Sequence, residues 1–494
     1  MFKRLKNIYN SIKNLNFVVD NYKNDTVVQS LPVIAYVNKA KKLIEQNNYD
    51  EAEEILLEAL DISEDYLIYK YLGKIQENRR QYKPAVGYYE KSAQINPNDK
   101  EIWLRLAMCE LYSDMFKEAI LSFEKADKIT PMNTDVYTGW GMAYMRLKKY
   151  AQARDKFNMA CSINKYNYTA ILLSAVMEMR LEDYANAEDK LKFLSKVAPN
   201  ETSNYEYAHL KLIKADYENA IIYANKAIEI NKQMLPAYFI LGETYSILKE
   251  YENTHNTFKT AIENDLDCAT LHFEWGKACV RLLEFDRAKE EFTTALGKDN
   301  NFVESKIGIA LINSYHKDFS LLEELKEKNA SNVYIQEASG LEFFEQAKHE
   351  EALAMFKKAL KTDNKQTYNY YHLANVYKIL NQNDKAKDYY EKFIAENPNY
   401  IKGLLEYSKW LINISDFVQA QRKLRKALKL EPDNTEILNL LFFTQYTIAQ
   451  ENVSEYNIKE SLMIAQKAET LGRFEYPDKK QELENILKNI QGTK

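Results

Sequence analysis

The sequence predicts an all-α chain built as a stack of helix pairs, and three observations predict it. A phrase of the form Y/F-x-x-A-x-x-x-F/Y-x-x-A recurs along the chain. Its anchors are Ala52, Ala85, Ala119, Ala153, Ala187, Ala220, Thr254, Ala288, Leu322, Ala352, Ala386, Ala420 and Ser461, and most steps between them are 34 residues. Breakers are scarce: 12 glycines and 9 prolines occur in 494 residues, too few for a loop-rich sandwich, a barrel or a flexible linker. The breakers that do occur follow the period. Gly73, Gly141, Gly242, Gly276 and Gly340 share one slot, and Pro97, Pro131, Pro199, Pro398 and Pro432 share another.

Each unit reads as two helices. In residues 100–133, Trp103, Leu106, Ala107 and Glu110 fall on one face at i, i+3, i+4 and i+7. Asp114 and Met115 mark a short turn. Phe116, Ala119, Phe123 and Ala126 then form a second stripe, which Ile129 continues. Pro131 stops it, because proline lacks an N–H and pushes the preceding residue out of the helical region. Residues 235–268 and 269–302 repeat the scheme. The shared glycine slot lies inside the first helix, where Gly costs about 1 kcal/mol against Ala. Its recurrence there predicts close helix–helix approach.

On these residues the chain resembles the tetratricopeptide repeat (TPR) family. That family has a bulky–Leu–Gly–Tyr first helix, an Ala–Phe–Ala second helix, a terminal Pro and a period of 34. The resemblance implies a right-handed superhelical solenoid of about thirteen helix-turn-helix repeats from Val33 to near Leu471. It divides the chain into repeats 1–8 (residues 33–302), a short divergent repeat 9 (303–332) and repeats 10–13 (333–471). Repeat 9 carries Leu322 at the Ala slot and lacks the following aromatic, so it is the candidate hinge. The last repeat has about seven extra residues near Gln450 to Tyr456.

Two pieces flank the repeats. Residues 1–32 hold a basic amphipathic helix (Phe2, Leu5, Ile8, Tyr9, Ile12, Leu15) and a polar linker. Residues 472–494 hold a helix whose Leu483, Ile486, Leu487 and Ile490 suit a cap on the terminal repeat. Neither piece is long enough for an appended catalytic domain.

The composition points the same way. Charged residues make up 28% and hydrophobic ones 46%, the balance of a soluble folding chain. The net charge of −5 makes no general bid for nucleic acid. Cys109, Cys161, Cys268 and Cys279 form no C-x-x-C and read as buried small hydrophobes in a reducing compartment. No apolar run approaches a membrane span. Lys6, Asn7, Asn10 and Lys13 break any signal-peptide core, so a cytoplasmic site is expected.

No catalytic or metal motif emerges. His349-Glu350-Glu351-Ala352-Leu353 starts like a zinc-protease helix, but Leu353 stands where the second His is needed. No phosphate-binding or dinucleotide-binding glycine loop and no nucleophile elbow occurs. Neither enzymatic activity nor a cofactor is expected.

The resemblance implies that first helices line a concave surface. The positions just after the core slots are Leu104, Met108 and Leu111, then Thr138, Met142 and Met145, then Leu172, Val176 and Met179. Further on, Phe239, Phe273, Ile307, Leu311, Leu341, Phe344 and Tyr371 sit in matching places. This predicts an apolar groove for a protein or peptide segment, with methionines that adapt to varied side chains. A plainer reading is that these side chains pack on neighbouring first helices. Some family members clamp a partner's C-terminal carboxylates with Lys, Asn and Arg. Lys70 and Lys74 resemble a start, but Leu104 and Met108 follow at the corresponding places. Two alternatives stand beside the interaction scaffold. Lys3, Arg4, Lys6 and Lys13 precede the first acid, Asp20, and could hold residues 1–20 on an anionic membrane. A helical-repeat RNA binder would need basic and polar residues where this groove is apolar.

Overall fold

The computed structural model describes the backbone of residues 25–451 and 453–492. Among them are 27 α-helices and no strand. The helices run as consecutive hairpins from Asp25–Glu45 with Tyr49–Leu60 through Thr435–Glu451 with Glu455–Thr470, followed by a single helix, Pro477–Gly492. The chain divides into two compact units, one ending at Ile230 and the other beginning at Asn231. The amphipathic helix expected at the N-terminus lies outside the described residues.

One hairpin shows why the sequence folds this way. Asn133 starts the first helix, Thr134–Arg146, by accepting from the backbone N–H of Asp135 (2.8 Å) and Val136 (3.3 Å). This satisfies donors that have no partner within the helix. At the far end Lys148 adopts a left-handed backbone (φ 57°). The N–H of Lys149 then reaches back to the Tyr144 carbonyl at 2.9 Å. That six-residue closure ends the helix and turns the chain. The second helix, Tyr150–Ile163, follows at once.

The turn recurs with the period. Left-handed residues occupy Asn47, Arg80, Asp114, Lys148, Glu182, Ala215, Lys249, Leu283, Lys317, Ala347, Asn381 and Ser415. The same closing bond appears as Met115 N–H to Glu110 O, Asp183 N–H to Glu178 O and Glu284 N–H to Cys279 O, each 2.9 Å. None of these twelve turns uses glycine, the residue best suited to positive φ. The few glycines are spent elsewhere.

Most of them stand against aromatic rings. A Cβ built on Gly141 would stand 2.6 Å from the Phe157 ring, and one on Gly276 would stand 2.6 Å from Phe292. The following hairpin closes on the same ring, since a Cβ at Gly308 would also meet Phe292 at 2.6 Å. Gly73 faces Tyr89 and Gly340 faces Phe356 in the same manner. Each of these rings is at most 1% exposed. Phe292 thus fits between two first helices that have each given up a side chain to admit it, and Tyr89, Phe157 and Phe356 each face one such glycine.

Two departures from the period have visible consequences. The second helix at Leu322 spans only Ser320–Leu325, 6 residues, against 14 in Phe285–Lys298. Leu322 and Leu325 are still buried. Lys326 occupies the missing aromatic's place and pairs with Glu323 (2.6 Å) and Glu342 (3.3 Å) instead. The extra residues near Gln450 lengthen the last pair, which has helices of 17 and 16 residues. Leu483 of the final helix is fully buried, with Ile486, Leu487 and Ile490 against the same group as Phe442, Tyr446 and Ile458.

Buried carboxylates replace apolar groups at several first-helix positions. Glu110 is 3% exposed, and burial pushes its carboxyl up to about 7. Glu178 is equally buried and is met by the Lys190 ammonium.

Two predictions follow from this packing. Gly276→Ala, forced onto Phe292, is expected to cost about 1–3 kcal/mol. Gly87→Ala, on an exposed helix surface with nothing within 4 Å, is expected to stabilise by about 1 kcal/mol. Urea denaturation of both variants checks the contrast. Because a raised carboxyl favours the neutral form, Glu110 costs stability as pH rises from the ordinary carboxylate value to about 7. Glu110→Gln is therefore expected to stabilise the protein at pH 8, by on the order of 1–3 kcal/mol, and to change little near pH 4.5.

Candidate binding surfaces

In the first unit, the expected groove residues lie on the first helices Ile102–Tyr112, Thr134–Arg146 and Tyr168–Arg180. Leu104, Met108, Met142, Met145, Leu172 and Val176 are half-buried. Leu111 and Met179 are buried, at 6% and 8% exposure, and belong to the packing between hairpins. Leu104, Met108, Leu111 and Met142 meet in one apolar group around Phe123 and Trp140. Met142 also joins Met145 and Val176 in a second group around Phe157. Leu172 and Met179 pack with Tyr207 in a third. The row is therefore part wall and part core. Met108 shows both roles, because its sulfur would lie 3.0 Å from a Cβ on Gly139 of the next first helix. Thr138 interrupts the row, with its hydroxyl donating to the Thr134 carbonyl (2.8 Å) and accepting from Asn167 (3.0 Å).

The suggested start of a carboxylate clamp is already occupied. Lys70 lies 3.1 Å from Asp99 and 2.9 Å from Glu101.

The second unit carries different chemistry at the same slots. Phe239 is half-buried. Phe273 packs its ring 5.1 Å from Phe302 and 5.9 Å from Phe292. Ile307 and Leu311 are buried, at 2% and 0%, and form no wall. Glu243 and Lys277 fall where the first unit has Met142 and Val176. Glu243 lies 3.2 Å from Arg281 and 3.7 Å from Lys365. Arg281 is itself 9% exposed and stands 4.0 Å from Asp363. Burial beside Arg281 pulls the Lys249 ammonium down to about 8.

A cavity of about 650 Å³ opens in this unit. Its walls are the turn Leu283 to Arg287, the helix end Tyr315 and His316, Leu341, and Tyr368, Tyr371, His372, Tyr400 and Lys402. A second cavity of about 90 Å³ shares Tyr315, Leu341 and His372 and reaches Phe344. Leu341, Phe344 and Tyr371 were legible as groove positions. Beneath them sits Glu337, 1% exposed, which accepts from the Tyr315 hydroxyl (2.6 Å) and the Asn369 amide (2.8 Å). His372 Nε2 lies 3.4 Å from the same carboxylate. Glu337 occupies the slot that holds Ile307 in the preceding hairpin. A carboxylate at the slot that holds Phe239, Phe273 and Ile307 in the three preceding hairpins was the signal that could have found it.

Two histidine clusters define what this region can do chemically. His255, Cys279 and Glu284 bring their ligand atoms within 4.8 Å of one another. Trp275 Nε1 donates to His255 Nδ1 at 2.9 Å, so Nε2 carries the ring hydrogen and faces Glu284 at 2.8 Å. A metal on Nε2 needs the opposite arrangement, with Nδ1–H donating to an acceptor. Burial also pushes the Cys279 thiol up, against thiolate ligation. These residues fit a hydrogen-bonded tie rather than a metal centre. His272 is held between Glu291 (2.7 Å) and Asp267 (2.9 Å), with Lys298 on Asp267 at 2.8 Å. The Glu291 hydrogen bond raises His272 above its ordinary range against the opposing effect of burial.

Comparison with known proteins identifies the repeat. The tetratricopeptide repeat profile matches residues 33–66, 202–234 and 368–400. The chain carries tetratricopeptide repeats. Along 94% of its length it aligns with 97% of a chain in the crystal structure of the APC/C hetero-tetramer Cut9-Hcn1, at TM-score 0.51 and 11% identity. That likeness shows the all-α solenoid fold. Hsp70-Hsp90 organizing protein 1 of Glycine max is 23% identical over 237 residues, 46% of this chain and 41% of that protein. The antiviral innate immune response effector IFIT1 of Homo sapiens is 25% identical over 210 residues, 39% of this chain and 44% of that protein. The repeat protein thus spans less than half the length of these curated relatives. Among its described residues no helix is long and apolar enough to cross a membrane.

The pairing of His272 has a measurable consequence. A raised histidine stabilises the fold fully below its ordinary value near 6.5 and loses that contribution as pH climbs through the raised value. Urea midpoints of the wild type are expected to fall as pH rises above about 6.5. His272→Asn is expected to flatten that fall while lowering the midpoint at pH 6.

Proposed function

We propose that the protein is a non-enzymatic scaffold that holds protein or peptide segments on the surface lined by its first helices. The observation that carries this reading is the half-buried row Leu104, Met108, Met142, Met145, Leu172 and Val176. Half-burial leaves each side chain anchored by its own core and still open to a ligand. Unbranched methionine can repack against different anchors. The curated relatives support an interaction role at the level of the fold, since three of them are organizing proteins named for Hsp70 and Hsp90. A clamp for a partner's terminal carboxylates is not part of this proposal, because Lys70 is committed to Asp99 and Glu101. The row instead suits an extended or helical segment with apolar anchors, its affinity resting on burial rather than charge.

A peptide-display selection on the full chain tests the reading. It is expected to enrich sequences with spaced apolar or aromatic residues. Met108→Glu with Met142→Asp is expected to weaken the selected peptides at least tenfold while the helical circular dichroism signal is kept. Met179 is unsuitable for this test, because at 8% exposure its replacement by a charge would act on folding. Unchanged affinity in the double variant would reject the groove.

A further inference from the structure

The turn at Leu283 differs from its eleven counterparts. The left-handed residues at the other eleven turns within hairpins are polar, charged or alanine, as a solvent-facing turn allows. Leu283 is the one large aliphatic among them, at φ 64°. A left-handed backbone is unfavourable for such a side chain, and exposure would leave it without compensation. It is only 8% exposed. Its company is a core group formed by residues far ahead in sequence, including Leu373, Tyr377, Leu404 and Trp410. Phe285 follows it, with its ring 4.5 Å from Tyr315 and 5.0 Å from Tyr368. The helix leading into the turn adds charge, through Arg281 near Asp363 and through Glu243 between Arg281 and Lys365.

The Phe285–Tyr315 contact belongs to the repeat, since Tyr82 meets Tyr112 at the same slots (4.9 Å), whereas the burial of Leu283 and the Phe285–Tyr368 contact do not. At this joint Phe292 already fills the space between Gly276 and Gly308 without them. The turn instead reaches across the short hairpin, whose second helix has 6 residues, onto helices Val333–Glu345, Tyr368–Ile379 and Ile401–Asn413. It lands on the first-helix side, against Leu341, Tyr368 and Tyr371, and leaves the cavity of about 650 Å³ beside it.

We infer that the Leu283–Glu284–Phe285 turn is a displaceable plug, seated in the second unit's own first-helix groove, and that the unit opens about residues 317–332 when the plug leaves. The short hairpin supplies the bend that lets the turn arrive. The plug's occupancy by Leu and Phe defines the competitor: a segment presenting an aromatic anchor beside a large aliphatic one. Only that identity of the competitor rests on the groove reading; the closure does not.

The closure can be read without any ligand. Glu243 and Lys365 lie 3.7 Å apart, so a zero-length carbodiimide link between them reports the seated plug in the full chain. The link is expected in the wild type. In the Leu283→Ala/Phe285→Ala variant it is expected to fall at least tenfold, and amide exchange is expected to speed at least tenfold in 368–379 and 401–413 but not in 435–470. For the wild type in urea below the unfolding transition, the link is expected to disappear while the helical signal persists. This second measurement stands even where the variant fails to fold. A link that never forms, one that survives in a folded variant, or one lost only together with helicity would overturn the plug. None of these outcomes bears on the Met142 surface, which lies in the other unit.

Discussion

The fit of one aromatic ring between two first helices is the interaction on which the rest depends. Phe292 stands at 2.6 Å from the place a Cβ would take on Gly276 and from the corresponding place on Gly308. No side chain other than hydrogen fits there with the ring in position. The spacing between successive hairpins follows from that contact. So does the exclusion of water from the joint, since the ring is 0% exposed. A chain held by such nearest-neighbour contacts has no central core to lose, and its stability accumulates joint by joint. This explains how the short hairpin at Leu322 is tolerated. Its aromatic is gone, yet Leu322 and Leu325 still seal the joint, and an ion pair from Lys326 covers the edge.

Much of this was legible in the sequence. Gly73, Gly141, Gly242, Gly276 and Gly340 announced a close approach at one slot, and each proves to face a ring. The turns were legible only in position. Their left-handed residues are Asn, Asp, Lys, Arg, Glu, Ser, Ala and Leu, and the six-residue closing hydrogen bond that fixes them is a backbone property that no side chain advertises. The groove was partly legible. Leu111 and Met179 share the spacing of Met142 and Met145, but they sit closer to the hairpin interior and are buried. Periodicity tells which side of a helix a residue takes, not how far the neighbouring helix covers it. The meeting of Phe285 with Tyr368 was not legible at all. A period describes contacts between neighbours, and this contact arises from the path of the chain across the shortened hairpin.

The two units present different first-helix chemistry within one architecture. In the first, methionine, leucine and valine form an apolar row interrupted at Thr138. The second substitutes Glu243, Lys277 and Glu337 at such slots, with Glu243 tied to Arg281 and Lys365, Lys277 to Glu274, and Glu337 to Tyr315 and Asn369. Buried charges of this kind gain little net stability over apolar residues, but each demands its partner. They make the second unit particular about its own arrangement, while the strip in the first remains adaptable.

The most direct test of the account is a double-mutant cycle on one joint. Gly141→Ala, Phe157→Leu and the pair are compared with the wild type by equilibrium urea denaturation. If the ring is what forbids a side chain on the first helix, removing it relieves the methyl group. The two changes should then couple by about 1 kcal/mol or more, with the double variant more stable than the sum of the single losses implies. Strict additivity would mean that the glycine and the ring act independently, and would contradict the interlock on which the stack is built.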